Sequence, residues 1–266
     1  MKDGSVSQPR SGQVQSLTRA ISLLRILSES ATGATLKQLS AEAALAPSTA
    51  HRLLTTLQSE RFVRFEPVTN IWQIGVGAFG VGSAFLRTRD VTVTARPHLH
   101  RIAEMTGEAA SLYVAAEDHA VCMVQIVGQG SSDVIAQVGD RLPLHATSAG
   151  KAILSRLPHE IVEQLIRDRG LERRTANTRD SRMALMRELS RARALGYALD
   201  LEENTNGVTC VGAALLDETG YPTAALSISG ATARIGPQRA TELGVIVRQT
   251  SERIMTEMGG VFEAAQ

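Results

Sequence analysis

The chain of 266 residues is 43% hydrophobic and 21% charged, ordinary proportions that exclude disordered, collagen-like and disulfide-stapled classes. Two domains are the expectation at this length, and a cytosolic protein is expected because no apolar run approaches the roughly 18 residues that cross a bilayer and the first twenty residues carry no signal core. The net charge of +1 conceals an asymmetry: residues 1–89 hold ten Lys/Arg against five Asp/Glu, and the rest eighteen against twenty-two, as for a polyanion-binding module joined to an acidic body.

Aromatics are scarce at 3%, so the core is expected to be aliphatic. Cys122 and Cys210 stand far apart without a C-x-x-C partner, which suggests neither a disulfide framework nor a cysteine zinc site.

Residues 1–12 are expected to form a flexible tail. Leu17, Ile21, Leu24 and Leu27 then recur at helical spacing from about Ser16 to Ser28, and Gly33 interrupts the pattern. Thr35-Leu36-Lys37-Gln38 has the form of a capping box, starting a short helix over Leu36–Ala44 with Leu36, Leu39 and Ala43 inward. Pro47 suits the first turn of a third helix, where its missing N–H would be unpaired anyway. Ala50, Leu53, Leu54 and Leu57 form the buried stripe there. Ser48, Thr49, His51, Arg52, Thr55 and Thr56 occupy the other side, without an acid among them.

A short helix, a tight turn and a following helix with a polar, acid-free outer face meet the requirements of a helix-turn-helix, whose second helix enters a major groove lined by phosphates. Hydroxyls and amides near its start suit phosphate oxygens, and Arg52 can reach a phosphate or a guanine edge. Thr35 and Lys37 are counted among the DNA contacts. A plain helical bundle with a Thr-rich solvated face is the alternative. The alternation of 61–65 and 71–74 around Glu66-Pro67-Val68-Thr69-Asn70 predicts a hairpin, a wing whose Arg61, Arg64 and Asn70 would lie along the backbone and add salt-dependent affinity. The DNA-binding domain is thus bounded at 13–75.

Gly75-Val76-Gly77-Ala78-Phe79-Gly80 matches G-x-G-x-x-G, but the preceding strand belongs to a short hairpin, no β-α-β unit follows and no acid stands at the right distance. Residues 76–90 are instead expected to form a linker helix, with Ala78, Phe79, Val81, Phe85 and Leu86 available to pack on another copy.

The remainder, 91–262, reads as an α+β domain. Helices are expected at 92–106, 148–156, 159–169, 180–195 and 237–258, and strands at Ala110–Ala115, Val121–Val127, Val134–Val138, Tyr197–Asp200, Thr209–Leu216 and Thr223–Ser229. Hairpin turns at Ala116–His119 and Asp217–Gly220 make most of the sheet antiparallel. Leu142-Pro143-Leu144-His145-Ala146-Thr147-Ser148-Ala149-Gly150-Lys151-Ala152 runs from a strand through small residues into a helix, leaving amides that can hold an anion such as a carboxylate. An ordinary capped helix is the plainer reading of the same stretch. Strand alternation puts Ser227 and Ser229 on one face.

These stretches, together with Gln15-Ser16-Leu17-x-Arg19-Ala20, Arg193-Ala194-x-Gly196-Tyr197, Glu202-Glu203, Gly207-Val208-x-Cys210-Val211 and Leu226-Ser227-Ile228-Ser229-Gly230, resemble the IclR family of bacterial transcriptional regulators over nearly the whole chain. The resemblance implies a winged helix-turn-helix, a dimerising linker helix and a GAF-like effector domain with a mixed, mainly antiparallel sheet and flanking helices. It implies promoter binding as a dimer or dimer of dimers, repressing or activating, under control of a small organic or aromatic acid. It places Ser48, Thr49, His51 and Arg52 in the recognition helix and Asp200, Val208, Cys210, Ser227 and Ser229 around the effector, beside Leu144, Ala146, Thr147, Ser148, Ala149 and Gly150. Two residues depart from the family pattern: Asn204 stands where His is usual after the paired glutamates, and Trp72 where Tyr is usual in the wing.

The expected partners are therefore double-stranded DNA, a small-molecule effector and further copies of the chain, with no membrane, cofactor or metal. An enzyme with Cys210 as nucleophile and His145 as its base is the rival, but no compact triad signature supports it. His98 and His100, two residues apart, do not share a helix face as metal ligands would, and the charge run Arg167–Arg174 reads as a solvated helix end.

Overall fold

The computed structural model describes residues 14–87, 90–129 and 136–259; the expected tail, Val134 at the start of an expected strand and the end of the second domain lie outside them. The chain divides into two compact units, residues 1–88 and 89–266.

The first unit contains α1 (Gln15–Ser28), β1 (Ala34–Thr35), α2 (Leu36–Glu42), α3 (Pro47–Ser59), β2 (Val63–Glu66), β3 (Ile71–Ile74) and α4 (Val76–Arg87). Its core is Leu23, Leu27, Leu39, Ala50, Leu54, Val63 and Trp72. The buried line of α1 thus runs through Leu23 and Leu27, whereas Leu17 and Ile21 of the expected stripe are exposed. The predicted hairpin is present and gains a strand, because Ala34 and Thr35 pair with Trp72 and Ile71 in a sheet ordered β1-β3-β2. Two residues of strand between a turn and a helix leave no alternation to read.

The second unit contains α5 (Asp90–Thr106), β4 (Ala109–Ala115), β5 (His119–Ile126), β6 (Arg141–Pro143), α6 (Ser148–Leu154), α7 (His159–Arg169), α8 (Arg182–Leu195), β7 (Ala198–Leu201), β8 (Val208–Leu216), β9 (Pro222–Ala231) and α9 (Pro237–Glu257). The strands are ordered β6-β5-β4-β9-β8-β7 with every neighbour antiparallel. Ala136–Val138, the described part of the expected strand at 134–138, is not strand; the edge is β6. Gly139 accounts for this, since its φ of +98° turns the chain back between Val138 and Asp140.

Period-two alternation distributes the core between the two faces of the sheet. Leu112, Val211, Leu226 and Ile228 pack with Leu99 and Ile102 of α5 and Leu243 and Val247 of α9. Tyr113, Cys122 and Ala225 face the opposite way, with Ile153, Val162, Leu185 and Leu189 of α6, α7 and α8. Small residues on this second face let α6 lie close to the strands, which brings Ser148 within reach of Ser227.

Candidate functional site

In the first unit, α2 opens with the capping box the sequence predicts: the Thr35 amide donates to Gln38 Oε1 at 2.9 Å and the Gln38 amide to Thr35 Oγ1 at 3.4 Å. The Thr35 hydroxyl donates to the same Gln38 oxygen at 2.8 Å, so this expected contact residue is committed to the cap. Lys37 beside it is exposed. On α3, Ser48, His51, Arg52 and Thr55 share one exposed flank at i, i+3, i+4 and i+7, with Thr49 half-buried at its edge. Both the amide and the hydroxyl of Ser48 lack a partner among the described residues, the state a phosphate oxygen would meet at a helix start. Thr55 differs, because its hydroxyl donates to the His51 carbonyl at 2.9 Å, as Thr56 does to Arg52 at 3.0 Å.

Trp72 of the wing lies under this flank, edge-on to His51 with ring centroids 6.3 Å apart and 4.8 Å from the Phe65 ring. The indole thus braces the hairpin against α3, and Arg64, registered opposite Gln73, is exposed. Asn70 has φ +55°, a left-handed turn position that its short side chain tolerates; a turn requirement explains it without a DNA contact.

The C-terminus of α3 is closed by amides of Arg61 and Phe62 reaching the carbonyls of Gln58 at 2.9 Å and Leu57 at 2.8 Å, a Schellman arrangement with Arg61 in the position usually held by glycine. The first two glycines of the G-x-G-x-x-G run serve this junction. A Cβ on Gly75 would stand 2.4 Å from the Arg61 carbonyl oxygen, and the Gly77 amide donates to that same oxygen at 2.8 Å. Close backbone packing of α4 on the end of α3 accounts for Gly75 and Gly77; a Cβ on Gly80 would meet nothing within 4 Å.

In the second unit, a cavity of about 30 Å³ is lined by Tyr113, Leu142, Thr147, Ser148, Ala149, Asp200, Asn204, Thr205, Val208, Cys210, Ser227 and Ser229. Gly212 makes it possible, since a Cβ there would meet the backbone of Ser148 and Ala149 at 2.8 and 2.9 Å. With that approach allowed, Ser148 Oγ lies 3.1 Å from Ser227 Oγ, which lies 3.2 Å from Ser229 Oγ. Cys210 pairs across the strands with Ser229 on one side and Asp200 on the other.

Eight of the eleven expected effector residues line this space; Leu144, Ala146 and Gly150 do not. Leu144 faces a separate cavity, Ala146 is fully buried, and Gly150 is pressed on the Leu144 backbone, where a Cβ would stand 2.3 Å from the carbonyl oxygen. The anion reading of the helix start also narrows, because Thr147 caps the Gly150 amide at 3.2 Å and α6 has only two turns. Tyr113, Leu142 and Thr205 were not expected; two strand residues and a loop residue brought in from distant segments leave no local signal.

Asp200 is buried, and desolvation raises its pKa to about 7 even though Lys151 and the Glu203 amide favour the carboxylate; that amide donates to Asp200 Oδ1 at 2.7 Å and the Asn204 amide at 3.3 Å. Burial, with the Asp200 charge beside it, pushes the Cys210 thiol up, the opposite of what activates a nucleophile. His145, its supposed base, instead points Nε2 at the Glu172 carbonyl at 2.9 Å and lines the other cavity. Among the described residues no cluster of three metal-ligating side chains occurs, and His98 meets the Glu257 carboxylate at 3.0 Å. No helix of the described residues is long and apolar enough to cross a membrane.

A winged helix-turn-helix carried with a sheet domain that encloses a small polar cavity defines a ligand-responsive DNA-binding regulator. Residues 16–67 match the IclR helix-turn-helix domain and residues 83–256 the C-terminal domain of the bacterial transcriptional regulator IclR. The chain belongs to the IclR family. It is 40% identical over 261 residues to the acetate operon repressor of Salmonella typhimurium, covering 97% of this chain and 95% of that protein. Against the HTH-type transcriptional repressor AllR of Klebsiella pneumoniae the identity is 37% over 245 residues, 92% of this chain and 90% of the other. Among crystal structures, the Thermotoga maritima IclR superposes with a TM-score of 0.73 at 26% identity, over 93% of this chain and all of that one. An Alicyclobacillus acidocaldarius regulator gives 0.83 at 23%, with the same coverage.

Proposed function

We propose that this regulator represses a promoter, as the Salmonella relative's name says of that protein, and is released by a small aliphatic carboxylate held against Ser148, Ser227 and Ser229. The observation that carries the effector assignment is the chain of three buried hydroxyls in a space of about 30 Å³. Three O–H groups that bond one another in its absence can turn to donate to two carboxylate oxygens, and the volume suits a few heavy atoms rather than an aromatic ring. Asp200, with its pKa raised by burial to about 7, is mainly protonated below neutrality and there adds a donor without repelling the acid.

Ser48, His51 and Arg52 supply the DNA contacts, with Lys37 and Arg64 on neighbouring phosphates. The assembly is a homodimer or a dimer of dimers. Val76, Phe79 and Val81 of α4 are exposed apolar groups that a second copy would cover. The raised Cys210 thiol supports a binding rather than a catalytic role. Effector binding acts by preferring one arrangement of paired effector domains over the other.

Gel-shift titration on the DNA beside its own gene tests this reading. The expected result is binding at least about a thousandfold tighter than to random DNA at the same salt, weakened by one of the two- to four-carbon carboxylates and insensitive to it in Ser227→Leu. Binding no tighter than to random DNA overturns the regulator assignment; release only by ring-containing acids overturns the effector class.

A further inference from the structure

A second, partly open pocket occupies the same unit, separate from the serine cavity. Leu154, Val162, Leu165, Ile166, Leu171 and Leu185 wall a volume of about 160 Å³ around α6 and α7. In volume alone that matches the sealed, Leu/Ile/Phe-lined cavity of about 150 Å³ known to bind benzene, so a single six-membered ring fits, here with one side at the solvent.

The polar groups that share the lining mostly accept hydrogen bonds. Since a carbonyl only accepts, His145 Nε2 donates to the Glu172 carbonyl at 2.9 Å, and in the tautomer with its single proton on Nε2 the ring's Nδ1 is an acceptor. Asp118 is held ionised, its pKa lowered by the His119 hydrogen bond and by Arg169. Arg169, the one guanidinium in the lining, is engaged by Asp118 at 3.0 Å.

We propose that this cavity is a second small-molecule site, taking a neutral ring of phenol size whose hydroxyl donates to one of these acceptors. An acid of the same shape would bring its charge against Asp118, so this site and the serine cavity select opposite ligand chemistry. Leu144 and His145 belong to the segment that continues into Thr147, Ser148 and Ala149, and Gly150 is seated on the Leu144 backbone. A ring in this pocket would therefore touch the segment that continues into the wall of the serine cavity. The assignment stands whether or not the chain binds DNA.

Calorimetric titration of the full-length chain with phenol tests it. One site per chain is expected, with toluene, lacking the donor, and benzoate, carrying the charge, each about tenfold weaker. Leu165→Phe and Ile166→Phe, at half-buried positions, should each fill the cavity and abolish phenol binding while thermal unfolding stays cooperative, and Ser227→Ala should leave it unchanged. Magnetisation transfer from phenol to the His145 ring protons gives a check that needs no substitution. No saturable binding, toluene or benzoate binding as tightly as phenol, retention of affinity in both filled variants, loss in Ser227→Ala, or absence of transfer to His145 would each overturn the assignment.

Discussion

Lys151 on α6 and Glu203 in the loop after β7 form an ion pair at 2.6 Å in which each side chain is 1% exposed. Glu203 Oε2 has no hydrogen-bond partner among the described residues, and burial raises the Glu203 pKa even beside the ammonium. The pair ties α6 to the loop that carries Asn204, so both walls of the serine cavity hang on it.

A buried pair contributes little net stability, but removing one partner strands a charge. Lys151→Met is therefore expected to cost about 3–5 kcal/mol, and Lys151→Met combined with Glu203→Leu to recover most of that loss. Urea unfolding of the three proteins measures it; a double variant no more stable than Lys151→Met would refute the stranded-charge account.

Asp200 gives a pH dependence with a definite sign. Its pKa rises from 3.8 to about 7 on folding, so across that window the folded chain holds a proton that the unfolded chain has lost. Stability then falls as pH rises through the window, by at most about 1.4 kcal/mol per pH unit from this one group. Asp200→Asn keeps the oxygen that accepts the Glu203 and Asn204 amides and removes the titration, so its stability should vary less between pH 4.5 and 6.5. An unchanged slope in denaturant melts would exclude Asp200 as the source.

The hydrogen bonds of α3 separate its polar residues. Arg52→Ala should weaken operator binding by about 1–3 kcal/mol if the guanidinium reads a base, and uniformly across sequences if it holds a phosphate. Thr55→Val should alter affinity by less than about a factor of two, since its hydroxyl proton is already given to His51 and net hydrogen-bond contributions are small, whereas Ser48→Ala should show a clear loss. Anisotropy titrations on operator and scrambled DNA distinguish these outcomes; equal effects at Ser48 and Thr55 would contradict the assignment.

The junction of α3 and α4 gives a contrast in stability. Gly75→Ala places a Cβ against the Arg61 carbonyl and should destabilise the first unit by about 1–3 kcal/mol, the usual cost of overpacking. Arg61→Gly relieves a left-handed residue and should stabilise it by about 1 kcal/mol. Thermal melts of both variants provide the measurement, and a neutral Gly75→Ala would show that the contact relaxes freely.

Much of the first unit was legible because its signals are local. The capping box at Thr35, proline in the first turn of α3 and the alternation around Trp72 each act over a few residues. Leu17 and Ile21 misled for the converse reason: helical spacing identifies an apolar face without saying what covers it. Asn204 was picked out by its departure from the family pattern, and it does line the cavity, whereas Leu144 was assigned by adjacency and faces elsewhere.

Backbone hydrogen bonding and side-chain period are properties of neighbouring residues, and so the amino-acid order alone determined the helices, the hairpins, the acid-free flank of α3 and the shared face of Ser227 and Ser229. Folding decided what lies across a gap. Only the packing of α6 onto Gly212 brings Ser148 to Ser227 and buries Lys151 against Glu203, because van der Waals contact and desolvation depend on distance in space and not on separation along the chain.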